Sequence, residues 1–329
     1  MSFLLNLMKQ PTRSMGTAMG RLALTNQHLH MARCSSTSTT TTTQLPDIIP
    51  YNQGTKYTAD YANYATTSHG HVVSYFHDIP LNLDPATKEA NIVIEIPRWT
   101  NAKFEIDTKQ PGNPIVQDTK KGQVRFVKNL FPHHGYIHNY GALPQTWEDP
   151  TTQHHGLFGD NDPVDVCEVG AKILATGDVK RVKILGALAL IDDGELDWKV
   201  IVVNVEDPLA RAVSDVAELD EKCPGLLDTT RQWFRDYKLA DGKPKNEFAF
   251  NAEYKSAEET VKIIQQCHES WKKLVSGEIK TDKTPNITNT TIKGLPGYTD
   301  SIDVKLNNPA KANAVIPIEV EQNYFIKTD

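Results

Sequence analysis

The stretch Gly159-Asp-Asn-Asp-Pro-Val-Asp-Val166 places Asp160, Asp162 and Asp165 within six positions of one another. Two carboxylates about 5 Å apart repel by roughly 3 kcal/mol at an effective dielectric near 20, so three of them crowded together call for a cation. Mg²⁺ answers that need, because it takes oxygen ligands and only a few carboxylates while keeping waters. Asp, Asn, Gly and Pro are equally the residues of an ordinary surface turn, and the octapeptide alone admits both readings. An EF-hand loop is excluded: with Asp160 as its first position, Val164 and Asp165 fall at the fifth and sixth, where a ligand and a Gly belong.

Outward from this stretch the chain reads as short strands. Residues 91–97 are β-branched, with Ile92, Ile94 and Ile96 expected on one face and Glu95 on the other. In 102–107 Lys103 and Glu105 share a face opposite Phe104 and Ile106, and in 123–128 Arg125 lies opposite Val124 and Phe126. Residues 181–191 and 199–205 are apolar strands joined by Asp192-Asp193-Gly194-Glu195, a hairpin turn, and in the returning strand Asp197 and Lys199 share one face while Trp198 and Val200 share the other. Such strands ahead of any long helix predict an antiparallel barrel or sandwich.

Helices are expected over 208–222, 226–239 and 256–276. The last carries a capping box from Ser256 and Glu259 and a stop at Gly277. Residues 278–329 read as a tail laid over the body.

Residues 1–46 hold Lys9, Arg13, Arg21 and Arg33 and no acid, a charge of +4, so residues 47–329 carry −6 − 4 = −10. This basic, Ser/Thr-rich leader predicts a mitochondrial transit peptide over residues 1–45, followed by a catalytic domain over 46–277 and the tail over 278–329. All five methionines lie in the leader, and initiation at Met31 would leave a cytosolic form. No apolar run reaches the roughly 18 residues of a membrane span. Cys34, Cys167, Cys223 and Cys267 form no C-x-x-C pair and suggest neither zinc ribbon nor disulfide framework.

The polar strand faces collect two groups of side chains. Glu95, Glu105, Asp160, Asp162, Asp165, Asp192 and Asp197 are acidic; Lys103, Arg125, Tyr136, Tyr140, Lys199, Tyr237 and Lys238 are basic or phenolic. Carboxylates that hold metals beside cations that hold an anion are what phosphoryl transfer requires. A P-loop nucleotidase and a serine hydrolase both lack their motifs here. Zinc on His133, His134 and His138 is disfavoured, because Pro132 and Gly135 break the helix such a site would need.

Asp160-Asn-Asp-Pro-Val-Asp-Val166 resembles the signature of the soluble family I inorganic pyrophosphatases. Glu95-Ile-Pro-Arg-Trp-Thr-Asn-Ala-Lys-Phe-Glu105, Arg125-Phe-Val, Phe131-Pro-His-His-Gly-Tyr-Ile-His-Asn-Tyr-Gly141, Asp192-Asp-Gly-Glu-Leu-Asp-Trp-Lys199 and Trp233-Phe-Arg-Asp-Tyr-Lys238 resemble its eukaryotic branch in order and spacing, over about residues 50–277. The resemblance implies a mainly β fold with α, a five-stranded OB-like barrel with peripheral helices, and Mg²⁺-dependent hydrolysis of pyrophosphate, Mn²⁺ substituting. It implies Asp160, Asp165 and Asp197 as holders of the tightest metal, Asp192 and Glu105 for metals arriving with substrate, and Asp162 as the base. Lys103, Arg125, Tyr136, Lys199, Tyr237 and Lys238 would grip the phosphates, supported by Glu95 and Tyr140. A mitochondrial homodimer is expected, with His134 and Trp99 at subunit contacts and no membrane partner. OB barrels also bind nucleic acid, but a body at −10 argues against a phosphate backbone. The loop between Asp149 and Gly159 is shorter than the family pattern, and the tail after Gly277 matches it poorly.

Strand alternation would put Asp160 and Asp162 on one face and Asp165 on the other. Convergence of the three therefore needs an irregular segment bent at Gly159, helped by Pro163 and leading into a strand at Val164.

Overall fold

The structure, a computed structural model, describes residues 47–326; the expected leader, with Met31 and Cys34, lies outside them. Five strands make a ring: β1 (Glu89–Ile96), β2 (Asn139–Ala142), β3 (Asp165–Glu168), β4 (Val179–Asp192) and β5 (Glu195–Asn204). β1 runs antiparallel to β2 and β4, β2 antiparallel to β3, β4 antiparallel to β5, and β3 parallel to β5. Closure leaves none of the five as an open edge with unpaired backbone groups. This is the OB-like barrel that the resemblance implies, with helices at its periphery.

Both faces of the ring are covered, which is why its longest strand is so apolar. A register shift in β4 between Ile184 and Gly186 leaves Leu185 as an extra residue. Leu185 joins one apolar cluster while Ile184 and Ala187 join the other. Gly186 is required there, since a Cβ would overlap the Lys255 carbonyl oxygen and the Val216 side chain.

A second slip corrects the expected alternation of β1. Gly141 pairs with Ile94 but Tyr140 with Ile96, so Ile92 and Ile94 face one cluster and Ile96 joins Val93 in the other. Glu95, the residue skipped, is 3% exposed, and it accepts the Ile106 N–H at 2.7 Å. Residues Phe104–Ile106 form a strand of a second sheet, with Lys103 just before it. Only Gln123 and Val124 of the expected 123–128 strand are extended in a ladder, with Phe126 bridging to Ala102.

The β4–β5 hairpin turns on Asp193 (φ 48°) and Gly194 (φ 94°), both left-handed as a two-residue turn demands. The segment expected as one helix over 208–222 divides into a 3₁₀ turn, Pro208–Arg211, and α1, Val216–Lys222, because Asp207 and Asp215 each cap a fresh start. α2 spans Leu226–Asp236 and stops before Tyr237 and Lys238, short of the expected 239. α3, Ala257–Ser276, carries the capping box of Ser256 and Glu259 and ends at Gly277, φ 75°.

The tail meets the body at several separate points. Asn286 N donates to the Thr108 carbonyl at 2.6 Å, Asn323 and Tyr324 pair in parallel with Asn129 and Leu130, and Pro309 bridges to Gln53. No disulfide is formed among the described residues; Cys167, Cys223 and Cys267 are free thiols.

Candidate active site

The segment from Gly159 to Val164 is irregular, and the strand begins at Asp165, one residue later than expected. The left-handed bend falls at Asn161, φ 75°, rather than at Gly159. Gly159 serves close approach instead, since a Cβ there would overlap the backbone carbonyl of Glu148. Three backbone hydrogen bonds hold the segments together: Glu148 N to Asp162 O at 2.9 Å, Asn161 N to Glu148 O at 2.9 Å and Gly159 N to Asp149 O at 3.2 Å. The bend carries Asp160, Asp162 and Asp165 to one cavity despite their sequence alternation.

That cavity, about 120 Å³, is lined by Glu95, Lys103, Glu105, Tyr136, Tyr140, Asp160, Asp162, Asp165, Asp192, Asp197, Lys199 and Tyr237. The two remaining expected residues, Arg125 and Lys238, line an adjoining cavity of about 320 Å³ that shares Lys103 and Tyr237 with the first. β5 delivers Asp197 and Lys199 from one face, β3 delivers Asp165, and the turn after α2 delivers Tyr237 and Lys238.

Lys199, 3% exposed, bonds Asp165 and Asp197 and donates to the Tyr140 hydroxyl at 2.9 Å. Tyr140 in turn donates to Asp165. Lys103 reaches Glu105 at 2.7 Å and Asp118 at 3.0 Å, and Asp118 also receives Arg125. Lys238 pairs with Asp192. The Tyr237 ring stacks on Trp233, centroids 4.9 Å apart, and Tyr136 packs against both Trp233 and Tyr140.

These neighbours set the protonation of the site. Desolvation in the cleft, then the charges of Glu105 and Asp165, push Asp162 up to about 7. Asp160 is held well above the ordinary carboxylate range by desolvation and by Asp162 and Asp165. Asp197 rises through burial in spite of Lys199, and Glu95 through burial and Asp165. Burial favours neutral Lys199, but Asp165 and Asp197 outweigh it and keep the ammonium charged. Burial pushes the Tyr136, Tyr140 and Tyr237 phenols up, so each remains a proton donor.

Carboxylates that cling to protons for want of positive charge fit a divalent cation. The donors lining the cavity are oxygens, with neither His nor Cys among them, which suits a hard ion such as Mg²⁺ or Mn²⁺. Among the described residues Glu148, Asp160 and Asp197 bring one carboxylate oxygen each within 4.8 Å of one another. Glu148 was missed in the sequence because it lies in no alternating strand; the acid pair Glu148-Asp149 before Pro150 was its only signal.

The histidines lie apart from this chemistry. His138 is buried and bonds Thr230 at 2.7 Å, and His134 is exposed. Trp99, 55% exposed, is not a core residue.

A sequence profile described as inorganic pyrophosphatase matches residues 92–272. The chain is 50% identical over 280 residues to the mitochondrial inorganic pyrophosphatase of Saccharomyces cerevisiae, covering 83% of this chain and 88% of that protein. It is 53% identical over 247 residues to the inorganic pyrophosphatase of Kluyveromyces lactis, covering 74% and 86%. Among solved structures, the inorganic pyrophosphatase of Schistosoma japonicum superposes with a TM-score of 0.81 at 42% identity, over 84% of this chain and all of that one (100%). An N-terminally truncated vacuolar soluble pyrophosphatase of Trypanosoma cruzi, solved with PPi, gives a TM-score of 0.65 at 38% identity over 76% and 98%. With its barrel, its acidic cleft and these likenesses, the chain belongs to the inorganic pyrophosphatase family.

Proposed function

We propose that Mg²⁺ serves this chain and that Asp162 takes the proton of the attacking water, in the hydrolysis of inorganic pyrophosphate to two orthophosphates that the chain performs as a member of its family. The observation that carries this reading is the convergence of seven acids with Lys103, Lys199 and three tyrosines on one cavity of about 120 Å³. Asp160, Asp165 and Asp197 would hold the tightest cation, and Asp192 and Glu105 those that accompany substrate. A bound divalent cation acidifies water and offsets phosphate charge.

Asp162 opens onto the cleft, and its N–H donates to Asp160 Oδ1 at 3.0 Å, which aims the loop. A carboxylate that faces the cleft beside the cation ligands suits a general base. Lys103, Arg125, Lys199 and Lys238 supply positive charge to the phosphates, and Tyr136 and Tyr237 supply neutral hydroxyl donors. Their stabilisation would count most on the leaving phosphate as negative charge develops there. Glu95 and Tyr140 hold the frame through Ile106 N and Asp165.

The chain acts as a mitochondrial homodimer in this reading. The acid-free basic leader and the likeness to a mitochondrial relative support the location. Exposed Trp99, stacked with Arg98, supports a subunit contact that includes His134. Residues 46–277 are the catalytic domain in this reading, and 278–329 a tail packed on or extending from it. Mn²⁺ substitutes for Mg²⁺. Phosphate release from pyrophosphate with Mg²⁺ tests the assignment: wild type turns over and Asp162→Ala loses at least about 100-fold in kcat. Full turnover by the variant would refute the base.

A further inference from the structure

We propose that Lys128 is a positioning residue for pyrophosphate binding: it clips the turn that carries Tyr237 and Lys238 to the segment that carries Arg125, and Tyr324 of the tail completes the clip. The inference rests on the reading of Arg125, Tyr237 and Lys238 as groups that grip phosphate, and it gives the tail a part in that grip.

The turn needs an outside support. α2 ends at Asp236, and Tyr237 and Lys238 lead from it into a 3₁₀ turn, Leu239–Asp241, of which no residue is buried. The turn's own bonds, Asp241 N to Lys238 O at 3.0 Å and Gly242 N to Leu239 O at 2.9 Å, fix its shape but not its distance from Arg125. Lys243, just past the turn, ties it to Asp193 on the β4–β5 hairpin, which leaves the Arg125 side to Lys128. Lys128 Nζ donates to the Ala240 carbonyl at 3.0 Å and pairs with Asp241 at 3.1 Å. A partly exposed ion pair counts for little alone, so the carbonyl bond is the directional part of the contact.

Lys128 is itself held in place. It lies three residues past Arg125, and the chain between them is fixed by Val127 N, which donates to Asn101 O at 2.7 Å. Beside it Asn129, 2% exposed, donates from its side chain to the Val320 and Glu321 carbonyls at 3.2 and 3.3 Å and pairs in parallel with Asn323. Phe131 N donates to Tyr324 O at 2.8 Å, which sets the tail in register. The Tyr324 ring then faces the ammonium, with Nζ 4.9 Å from its centroid. A ring face at this distance attracts the cation and restricts its swing away from Ala240. Arg125, Tyr237 and Lys238 line one cavity, and Lys128 joins the two chain segments from which they come.

Steady-state hydrolysis of pyrophosphate with Mg²⁺ by the full chain tests this, with urea midpoints measured alongside. Lys128→Met keeps the stem but loses the carbonyl bond, and should raise KM at least about fivefold. Its kcat and urea midpoint should stay near wild type, because Asp162 and the cation ligands reach the cleft from other segments. Lys128→Arg, which keeps a cation and a donor, should restore KM to within about twofold of wild type. Tyr324→Leu should raise KM about threefold, and the double variant should be no worse than Lys128→Met alone. A wild-type KM in Lys128→Met, an equal rise in Lys128→Arg, or losses that add in the double variant overturns the clip, as does an activity loss that tracks the urea midpoint. Should Lys128→Met not fold, Tyr324→Leu decides: a raised KM supports the proposal and a wild-type KM overturns it. Lys238→Met separates this inference from the reading beneath it. A wild-type KM there overturns both, whereas a raised KM there with a wild-type KM in Lys128→Met overturns the clip alone.

Discussion

The side-chain amide of Asn161 donates to the Lys283 carbonyl at 3.1 Å, tying the loop of Asp160 and Asp162 to the chain beyond the last long helix. On its other side Asn161 Oδ1 accepts the Trp147 indole N–H at 3.2 Å. The left-handed residue between Asp160 and Asp162 is thus held from both flanks.

Substitution at Asn161 separates conformation from hydrogen bonding. Asn161→Gly keeps the positive φ but loses both bonds, and should cost about 1 kcal/mol of stability with a modest fall in kcat. Asn161→Val adds a β-branched side chain at φ 75° and should cost about 2–3 kcal/mol and most of the activity. Urea unfolding and phosphate release on the two variants check the order; equal loss in both would assign the effect to the hydrogen bonds alone.

Gly159→Ala tests the close approach of the two loops. The new methyl would overlap the Glu148 carbonyl, which is backbone and cannot rotate aside. A loss of at least about 2 kcal/mol is expected, with activity falling in step because the loop that carries Asp160 and Asp162 shifts. A wild-type urea midpoint would show that the loops can separate without cost.

His77 gives the metal-free protein an acid sensitivity of defined sign. Its Nε2 faces the Asn286 carbonyl at 2.9 Å and its Nδ1 accepts the Trp271 N–H at 2.9 Å, so both nitrogens are used by the neutral ring. Burial lowers its pKa to about 4, with the Asn286 carbonyl and Asp78 opposing. The unfolded chain takes up this proton near pH 6.5 and the folded chain only near 4. Stability is therefore full above about 6.5 and falls by up to roughly 3 kcal/mol as pH drops toward 4. Urea midpoints of wild type and His77→Gln between pH 7 and 4.5 isolate the effect: the variant should lose less on acidification than wild type.

Asp78 anchors the tail. Its carboxylate accepts the Thr290 and Thr291 N–H groups at 2.8 and 3.0 Å, and Thr291 Oγ1 at 2.8 Å, while also accepting Ser74 N at 2.8 Å. Asp78→Ala leaves these donors unpaired and should cost about 2–4 kcal/mol. Limited proteolysis should then cut first between 284 and 299 while the barrel survives; cleavage at the wild-type rate would place the anchor elsewhere.

Much of the site was legible because side-chain alternation is a local property. Lys103 with Glu105, and Asp197 with Lys199, share strand faces in the sequence and in the fold. The capping box at Ser256 and the hairpin at Asp193-Gly194 are equally local, each set by a few consecutive residues. Positions where the pattern misled are those where a distant strand sets the register. The slips at Glu95 and Leu185 exist only in the pairing of β1 with β2 and of β4 with β5.

The sequence by itself determined the chemistry: which residue types, in which order, and the bend needed to bring Asp160, Asp162 and Asp165 together. Tertiary structure alone decided how that bend is made, through Asn161 rather than Gly159, and that Glu148 sits beneath it. The reason is physical: closing a barrel joins segments that no periodicity relates. Glu148 meets Trp198 across 50 positions, and Asn161 meets Lys283 across 122.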